Sequence, residues 1–152
     1  LRNPEATSSI DDITKGLFEC VIDDEINNKS KVKKIILCSG KIFYDLKKER
    51  DANKKNIAII RIEQLYPFPY DELEKVLKNY SNDVDVVWCQ EEPENQGAWF
   101  SHRHRIERVL SRISSDKKVT LISRPPAAAP AVGMMKLHLQ QQKKLIELAI
   151  EI

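Results

Sequence analysis

NIAIIRIEQL, residues 56–65, sets the architecture expected for this chain. Its middle is continuously apolar and rich in β-branched residues, and it does not alternate between apolar and polar positions. Such a strand is typical of a parallel sheet, because helices cover both of its faces. The segments on either side are therefore expected to supply helices for two faces of one sheet.

Apolar runs and amphipathic segments alternate from residue 33 onward. The predicted strands are 33–40, 56–65, 83–90 and 117–124, and the predicted helices are 41–55, 71–80, 96–113 and 138–150. A further short strand, 16–23, is expected at the edge of the sheet in antiparallel orientation. This order predicts an α/β fold, a three-layer sandwich whose mixed sheet is mostly parallel and has one antiparallel edge strand.

The chain divides into two parts in this interpretation. Residues 1–32 form a lead-in segment with the short edge strand, and residues 33–152 form the α/β domain. The Pro-Ala-rich stretch 124–133 is expected to be an extended, ordered loop, because its three prolines fit neither a regular helix nor a central strand. The chain begins without methionine, and we expect it to be a fragment of a longer protein.

The composition argues against several classes of partner and site. The 25 lysines and arginines nearly balance 23 aspartates and glutamates, which gives no electrostatic reason to expect nucleic acid or an anionic membrane as a partner. No apolar run approaches the ~20 residues that a membrane span needs. The three cysteines lack metal or redox spacing, and Cys38 and Cys89 lie in apolar runs, which predicts buried thiols in a reducing compartment.

Polar residues gather where the four parallel strands end. Right-handed crossovers place these carboxyl ends at one edge of the sheet, which we call the strand-end edge. Residues 39–41, 63–64, 90–92 and 124 are expected there. We predict no catalytic, cofactor-binding or metal-binding residue. Our candidates for an effector site or an interdomain contact are Ser39, Gly40, Lys41, Gln90, Glu91, Gln96, Arg103 and Arg124.

These candidates also have plainer interpretations. Residues 39–41 could offer helix amides to an anion, but they lack the glycine pattern of a phosphate loop, so a strand-to-helix turn is preferred. Glu91 and Glu92 are neighbours on an extended chain and point in opposite directions, which disfavours a catalytic pair. We expect one of them to cap the following turn or to pair with Arg124, and the other to be solvated.

Two predicted helices carry further polar residues. His102 lies in the apolar stripe of its helix, and we expect it to be half-buried and hydrogen-bonded rather than a metal ligand. Arg103 flanks that stripe and could face an anion or a neighbouring domain. Residues 140–144, three glutamines and two lysines, predict a solvated helix face.

Five stretches of the chain carry a family resemblance. They are LRNPEATSSIDD (1–12), CSGKIFYDL (38–46), RIEQLYPFP (61–69), WCQEEPENQGAW (88–99) and SRPPAAAPAVG (123–133). Together, and in this order, they resemble the carboxyl-terminal domain of the thiamine-dependent 2-oxoglutarate dehydrogenases. RIEQLYPFP alone indicates the broader transketolase-like group, and the NQGAW continuation with the Pro-Ala-rich loop narrows the resemblance to the 2-oxoglutarate branch.

The resemblance implies both a fold and a parent activity. The fold is that of a transketolase carboxyl-terminal domain. The parent enzyme decarboxylates 2-oxoglutarate on thiamine diphosphate with Mg²⁺ and passes the succinyl group to the lipoyl arm of a dihydrolipoyl succinyltransferase in the tricarboxylic acid cycle. The family's cofactor is held by the two preceding domains of a homodimer, so none is expected on this chain. The implied location is the bacterial cytoplasm, or the mitochondrial matrix in a eukaryote.

Three roles remain open for the chain itself. In the preferred one it is a structural, dimer-supporting module whose strand-end edge faces the catalytic domains, with Tyr66, Phe68, Trp88 and Trp99 packing around that edge. In the alternative it helps to bind an effector, an adenine nucleotide or acetyl-coenzyme A, through Lys41, Arg103 and Arg124. A free-standing, flavodoxin-like nucleotide binder is disfavoured, because the chain lacks a glycine-rich loop.

Overall fold

A computed structural model describes residues 4–151 and places a five-stranded sheet at the centre of this part of the chain. The strands are β1 (Val21–Ile22), β2 (Lys34–Cys38), β3 (Ile57–Ile62), β4 (Asp85–Pro93) and β5 (Val119–Arg124), and they lie in the order β1-β3-β2-β4-β5. β2 to β5 are parallel, and β1 pairs with β3 in antiparallel orientation. The predicted mixed sheet with an antiparallel edge strand is confirmed.

Helices cover both faces of this sheet. The described α-helices are α1 (Ile10–Thr14), α2 (Ile42–Asn53), α3 (Tyr70–Leu77), α4 (Trp99–Ile113) and α5 (Met135–Ile150). α3 and α4 pack on one face, and α2 and α5 pack on the other. The predicted three-layer sandwich is therefore confirmed.

The surroundings of β3 explain why every residue from 57 to 60 is apolar. Ala58 and Ile60 belong to the core beneath α3 and α4, whereas Ile57 and Ile59 belong to the core beneath α2 and α5. Successive side chains point to opposite faces of a strand, and here both faces are buried. The apolar run is continuous because the strand contributes side chains to two cores, one on each face of the sheet.

The beginning of the chain differs from the prediction. The expected strand 16–23 shrinks to Val21–Ile22, and Phe18, on which that prediction was centred, is exposed. Residues 10–14 instead form the short helix α1, which sequence analysis missed and which buries no side chain. Ser9 and Asp12 hydrogen-bond each other's backbone N–H in a capping box, and this local bonding forms the helix without tertiary cover.

Two aspartates that follow β1 attach this region to the domain. Asp24 accepts hydrogen bonds from the Arg50 guanidinium and, at 2.7 Å, from the backbone N–H of Ile59. Asp23 accepts from the Tyr80 hydroxyl at 2.6 Å and pairs with Lys29. The attachment is partly buried, so these carboxylates link β1 to α2, β3 and the end of α3.

Cys38 and Cys89 are buried thiols, as predicted from the apolar runs around them. They lie in the core beneath α2 and α5, on the neighbouring strands β2 and β4. Burial raises the pKa of the Cys89 thiol to about 12. Burial, with a smaller contribution from Cys89, raises the pKa of Cys38 well above its ordinary value. Both sulfurs therefore stay protonated and act as small apolar groups.

Candidate functional site

The turn after β2 brings Lys41 to the strand-end edge. Gly40 has φ +72°, a left-handed conformation that glycine adopts without strain, and it turns the chain from β2 into α2. The Nζ atom of Lys41 lies 2.6 Å from a carboxylate oxygen of Glu91. Ser39, Gly40 and Lys41 thus form the strand-to-helix turn that we preferred, and Lys41 bridges from this turn to β4.

β4 is longer than predicted, and this changes the setting of Glu91 and Glu92. The predicted strand ended at Gln90, but β4 continues to Pro93, which pairs with Arg124 of β5. The register shifts between Cys89 and Pro93, and proline, which has no N–H for the ladder, is tolerated at such an irregularity. Pro93 is therefore the last residue of the strand.

The expected partner of these glutamates is also corrected. Glu91 pairs with Lys41 and not with Arg124, while Glu92 is exposed. The guanidinium of Arg124 is directed instead to α5, where it donates to Gln142. Glu91 and Glu92 do not share a partner among residues 4–151, so the described contacts give no support to a catalytic carboxylate pair.

Gln90 is buried and holds the end of β4 to the start of α4. Its Oε1 atom accepts from the Trp88 indole N–H at 3.0 Å and from the backbone N–H of Trp99 at 3.1 Å. Its Nε2 atom donates to the carbonyls of Pro93 at 3.1 Å and Gln96 at 2.8 Å. This candidate therefore lies inside the domain, where its hydrogen bonds hold the end of β4 against the start of α4.

Gln96 and its neighbour Asn95 fix the Pro-Ala-rich loop. Both side-chain amides donate to the carbonyl of Ala127 at 3.0 Å, and the backbone N–H of Ala127 donates to Asn95 Oδ1 at 3.0 Å. Residues 125–133 contain neither helix nor strand. This agrees with the predicted extended, ordered loop, and Asn95, which was not among the predicted candidates, also holds it in place.

Arg124 is 7% exposed and lies on the α5 side of the sheet. It donates to Gln142 Oε1 at 2.8 Å and lies 3.4 Å from His138 Nδ1, and Gln142 in turn donates to Asp45 of α2 at 3.0 Å. The predicted solvated face is therefore wrong at Gln142, which is buried against Arg124. The missed signal is spacing, because His138 and Gln142 continue the helical stripe of Leu145 and Ala149.

On α4, Arg103 is exposed beside the apolar stripe, and His102 within the stripe is buried rather than half-buried as predicted. Arg103 pairs with Glu107 at 3.0 Å and lies over the Trp99 ring at 5.5 Å. The two ring nitrogens of His102 lie 2.8 Å from the carbonyl of Leu65 and 3.0 Å from that of Ala98. His102 is thus hydrogen-bonded within the core.

Large apolar side chains are exposed along the strand-end edge. Four of them follow the carboxyl ends of β3, β4 and β5, and we call these four the apolar rim: Tyr66, Phe100, Met134 and Met135. Tyr66 is 83% exposed, whereas Phe68, Trp88 and Trp99, which we had grouped with it, are buried. Of the predicted aromatic set, only Tyr66 presents its ring to the outside.

The described residues contain neither a cluster of metal ligands nor a membrane-spanning helix. Within residues 4–151, no three His, Cys, Asp or Glu side chains come together in a way that could hold a metal ion. In the same part of the chain, no helix is both long enough and apolar enough to cross a membrane.

Comparison with known proteins gives consistent matches over nearly the whole chain. The family described as 2-oxoglutarate dehydrogenase C-terminal matches residues 7–150. The 2-oxoglutarate dehydrogenase E1 component of Haemophilus influenzae is 50% identical over 99% of this chain. The E1 component of Cupriavidus necator is 49% identical over 98% of the chain, and the 2-oxoadipate dehydrogenase complex component E1 of Xenopus laevis is 44% identical over 95%. The chain spans 16% of the length of each of these relatives.

Proposed function

Because the chain belongs to the family of 2-oxoglutarate dehydrogenase carboxyl-terminal domains, we propose that it works as the structural, dimer-supporting domain of such an enzyme. The longer protein is proposed to decarboxylate 2-oxoglutarate on thiamine diphosphate with Mg²⁺. It then transfers the succinyl group to the lipoyl arm of a dihydrolipoyl succinyltransferase in the tricarboxylic acid cycle. We place it in the cytoplasm of a bacterium, in keeping with relatives from several bacteria.

The described residues, 4–151, do not fit a thiamine diphosphate or Mg²⁺ site. Residues 4–151 bring together no set of metal ligands, and the strand-to-helix turn at Gly40 lacks the glycine pattern of a phosphate loop. We therefore derive no catalytic step from this chain. We propose that the chain is divided into a lead-in segment, residues 1–32, and an α/β domain, residues 33–152.

One observation carries the proposed docking role, namely the position of the apolar rim. Single exposed apolar residues are ordinary, but here four large ones share the edge at which three parallel strands end. Aromatic and methionine side chains are enriched where proteins contact each other. The polar residues at the same edge are bonded within the domain, so the edge has a defined shape before it meets a neighbour.

The candidate polar residues are assigned to the same contact. Lys41 and Arg103 have carboxylate partners in Glu91 and Glu107, and no feature of the described residues favours the effector alternative over docking. We propose that Ser39, Gly40, Lys41, Glu91 and Arg103 border the docking face. Gln90, Gln96 and Arg124 support it from within the domain.

A deletion tests the proposed function. The full-length protein and a form that ends before residue 1 of this chain are compared for mass in solution and for oxidative decarboxylation of 2-oxoglutarate. We expect the shortened form to lose dimerisation and activity together. A shortened form that remains dimeric and fully active would refute the structural role.

A further inference from the structure

Arg124 is a buried cation without a carboxylate partner among residues 4–151. Its Nε atom is buried and makes no hydrogen bond to this part of the chain. Its hydrogen-bonding contacts, Gln142 Oε1 and His138 Nδ1, belong to an amide and an imidazole. A buried guanidinium that lacks an opposite charge is destabilising, so this position calls for an anion.

A small cavity is bounded in part by Arg124. It measures about 170 Å³ and is bounded by Arg124, by Pro93 at the end of β4, by Gln141 and by the Pro-Ala-rich loop. Its wall is therefore mostly apolar, which lowers the local dielectric and strengthens any ion pair formed within it. One charged donor within an apolar wall selects a small anionic group with an apolar stem.

The loop that forms this wall is held in place before anything binds. Asn95 and Gln96 bond both backbone groups of Ala127, and the prolines restrict the backbone of the loop. Gln142 also positions the guanidinium, because it accepts from Arg124 and donates to Asp45. Asp45 therefore reaches Arg124 only through this amide, and its charge does not contact the guanidinium directly.

We propose that Arg124 receives an Asp or Glu carboxylate from the protein surface that docks on the strand-end edge, within the cavity walled by the Pro-Ala-rich loop. The inference rests on the proposed docking function and names the chemistry of the contact. A protein side chain fits better than a free anion, because Met134 and Met135, exposed directly after this loop, favour an apolar protein surface as the neighbour. Arginine and carboxylate form two parallel hydrogen bonds, which also fixes the orientation of the docked surface.

Cross-linking in the full-length protein tests this contact. In the R124K variant, a carbodiimide joins the introduced amine to an adjacent carboxylate as an amide, with loss of water, and mass spectrometry identifies the peptides. We expect a link between the peptide that contains position 124 and an acidic peptide outside these 152 residues. A link to the Asp45 peptide, or none, overturns the proposal.

Lysines elsewhere at the edge separate this proposal from the docking function. If Lys41 or Lys136 links to peptides outside these residues while the R124K amine does not, docking stands and the carboxylate contact falls. If none of the three amines forms a link to a peptide outside these 152 residues, both the docking function and the carboxylate contact are refuted.

Hydrogen exchange provides a second readout that does not depend on reagent access. In full-length R124M, we expect amides of residues 127–133, together with one peptide outside these 152 residues, to exchange at least about tenfold faster than in the wild type. The matched control is R112M, at an exposed arginine near the far end of α4 that is paired with Glu74, and it should leave both regions unchanged. Unchanged exchange of the outside peptides in R124M overturns the proposal. Protection of the β2 and β3 amides checks that the variant is folded.

Discussion

Gln90 illustrates how a polar residue at a sheet edge can serve the interior. Its amide satisfies the Trp88 indole and three backbone groups at the junction of β4 and α4. The left-handed Gly97, at φ +67°, permits this arrangement, because a Cβ atom there would lie 3.0 Å from the Gln90 amide. The junction therefore depends on one glutamine and on the glycine that makes room for it.

Replacing Gln90 with methionine removes this network at nearly constant volume. The Trp88 N–H and the backbone groups of Trp99, Pro93 and Gln96 lose their partner, and each buried group left unpaired costs about 1–3 kcal/mol. We expect the free energy of unfolding to fall by at least about 2 kcal/mol in urea titrations of Q90M. The exposed position Gln140 supplies the control, and a Q90M loss no larger than that of Q140M would contradict this role.

The buried thiol Cys89 predicts a pH dependence of stability. Its pKa rises from an ordinary value of 9.0 to about 12 on folding, because burial disfavours the thiolate. Between these values the unfolded chain loses a proton that the folded chain keeps, so stability falls as the pH rises. Urea unfolding between about pH 9 and about pH 12 should show a shallower decline in C89A than in the wild type. Parallel declines would show that Cys89 does not contribute.

At the scale of elements, a largely buried ion pair adds to the attachment of β1, whose Val21 also packs against the core beneath α3 and α4. β1 is only two residues long, and the helix before it buries nothing. The Asp24 carboxylate fills this role by bonding Arg50 of α2 and the backbone of β3. Both side chains of this pair are largely buried, which makes removal of one partner costly.

Single and double substitutions at this pair should therefore differ. D24A leaves Arg50 buried without its main partner, and we expect about 3 kcal/mol less stability in urea titrations. R50M in the same chain removes the stranded charge, so the D24A/R50M double variant should recover part of the loss. A double variant as unstable as the sum of the single variants would exclude direct coupling between the two residues.

An element could be predicted from the sequence when its own apolar pattern shows which of its residues are buried. The apolar runs of β2 to β5 and the stripes of α3 and α4 report burial directly, and these elements were predicted at nearly the right positions. α1 was missed because its capping box lies in a segment without an apolar face buried in the domain. The helical spacing of Gln142 with Leu145 and Ala149 indicates its inward position, but the polar residues around it hid that signal, and its partner Arg124 lies 18 residues away.

At the scale of the whole molecule, the domain is complete in its core but leaves the apolar rim uncovered. Two apolar cores separated by the sheet account for the buried residues, whereas the rim residues belong to neither of them. The family resemblance found in five stretches of sequence is confirmed by matches that cover nearly the whole chain. The rim follows three separate strands, so only the folded topology brings these residues to one edge.

The most direct test of the docking claim replaces rim residues in the full-length protein. The variant Y66S/M135S removes two apolar side chains from the strand-end edge, and L148S removes one exposed side chain near the other end of α5. We expect Y66S/M135S to weaken dimerisation at least about tenfold in analytical ultracentrifugation, with a parallel loss of activity, while L148S behaves as the wild type. If Y66S/M135S assembles as tightly as L148S does, the strand-end edge is not the docking face.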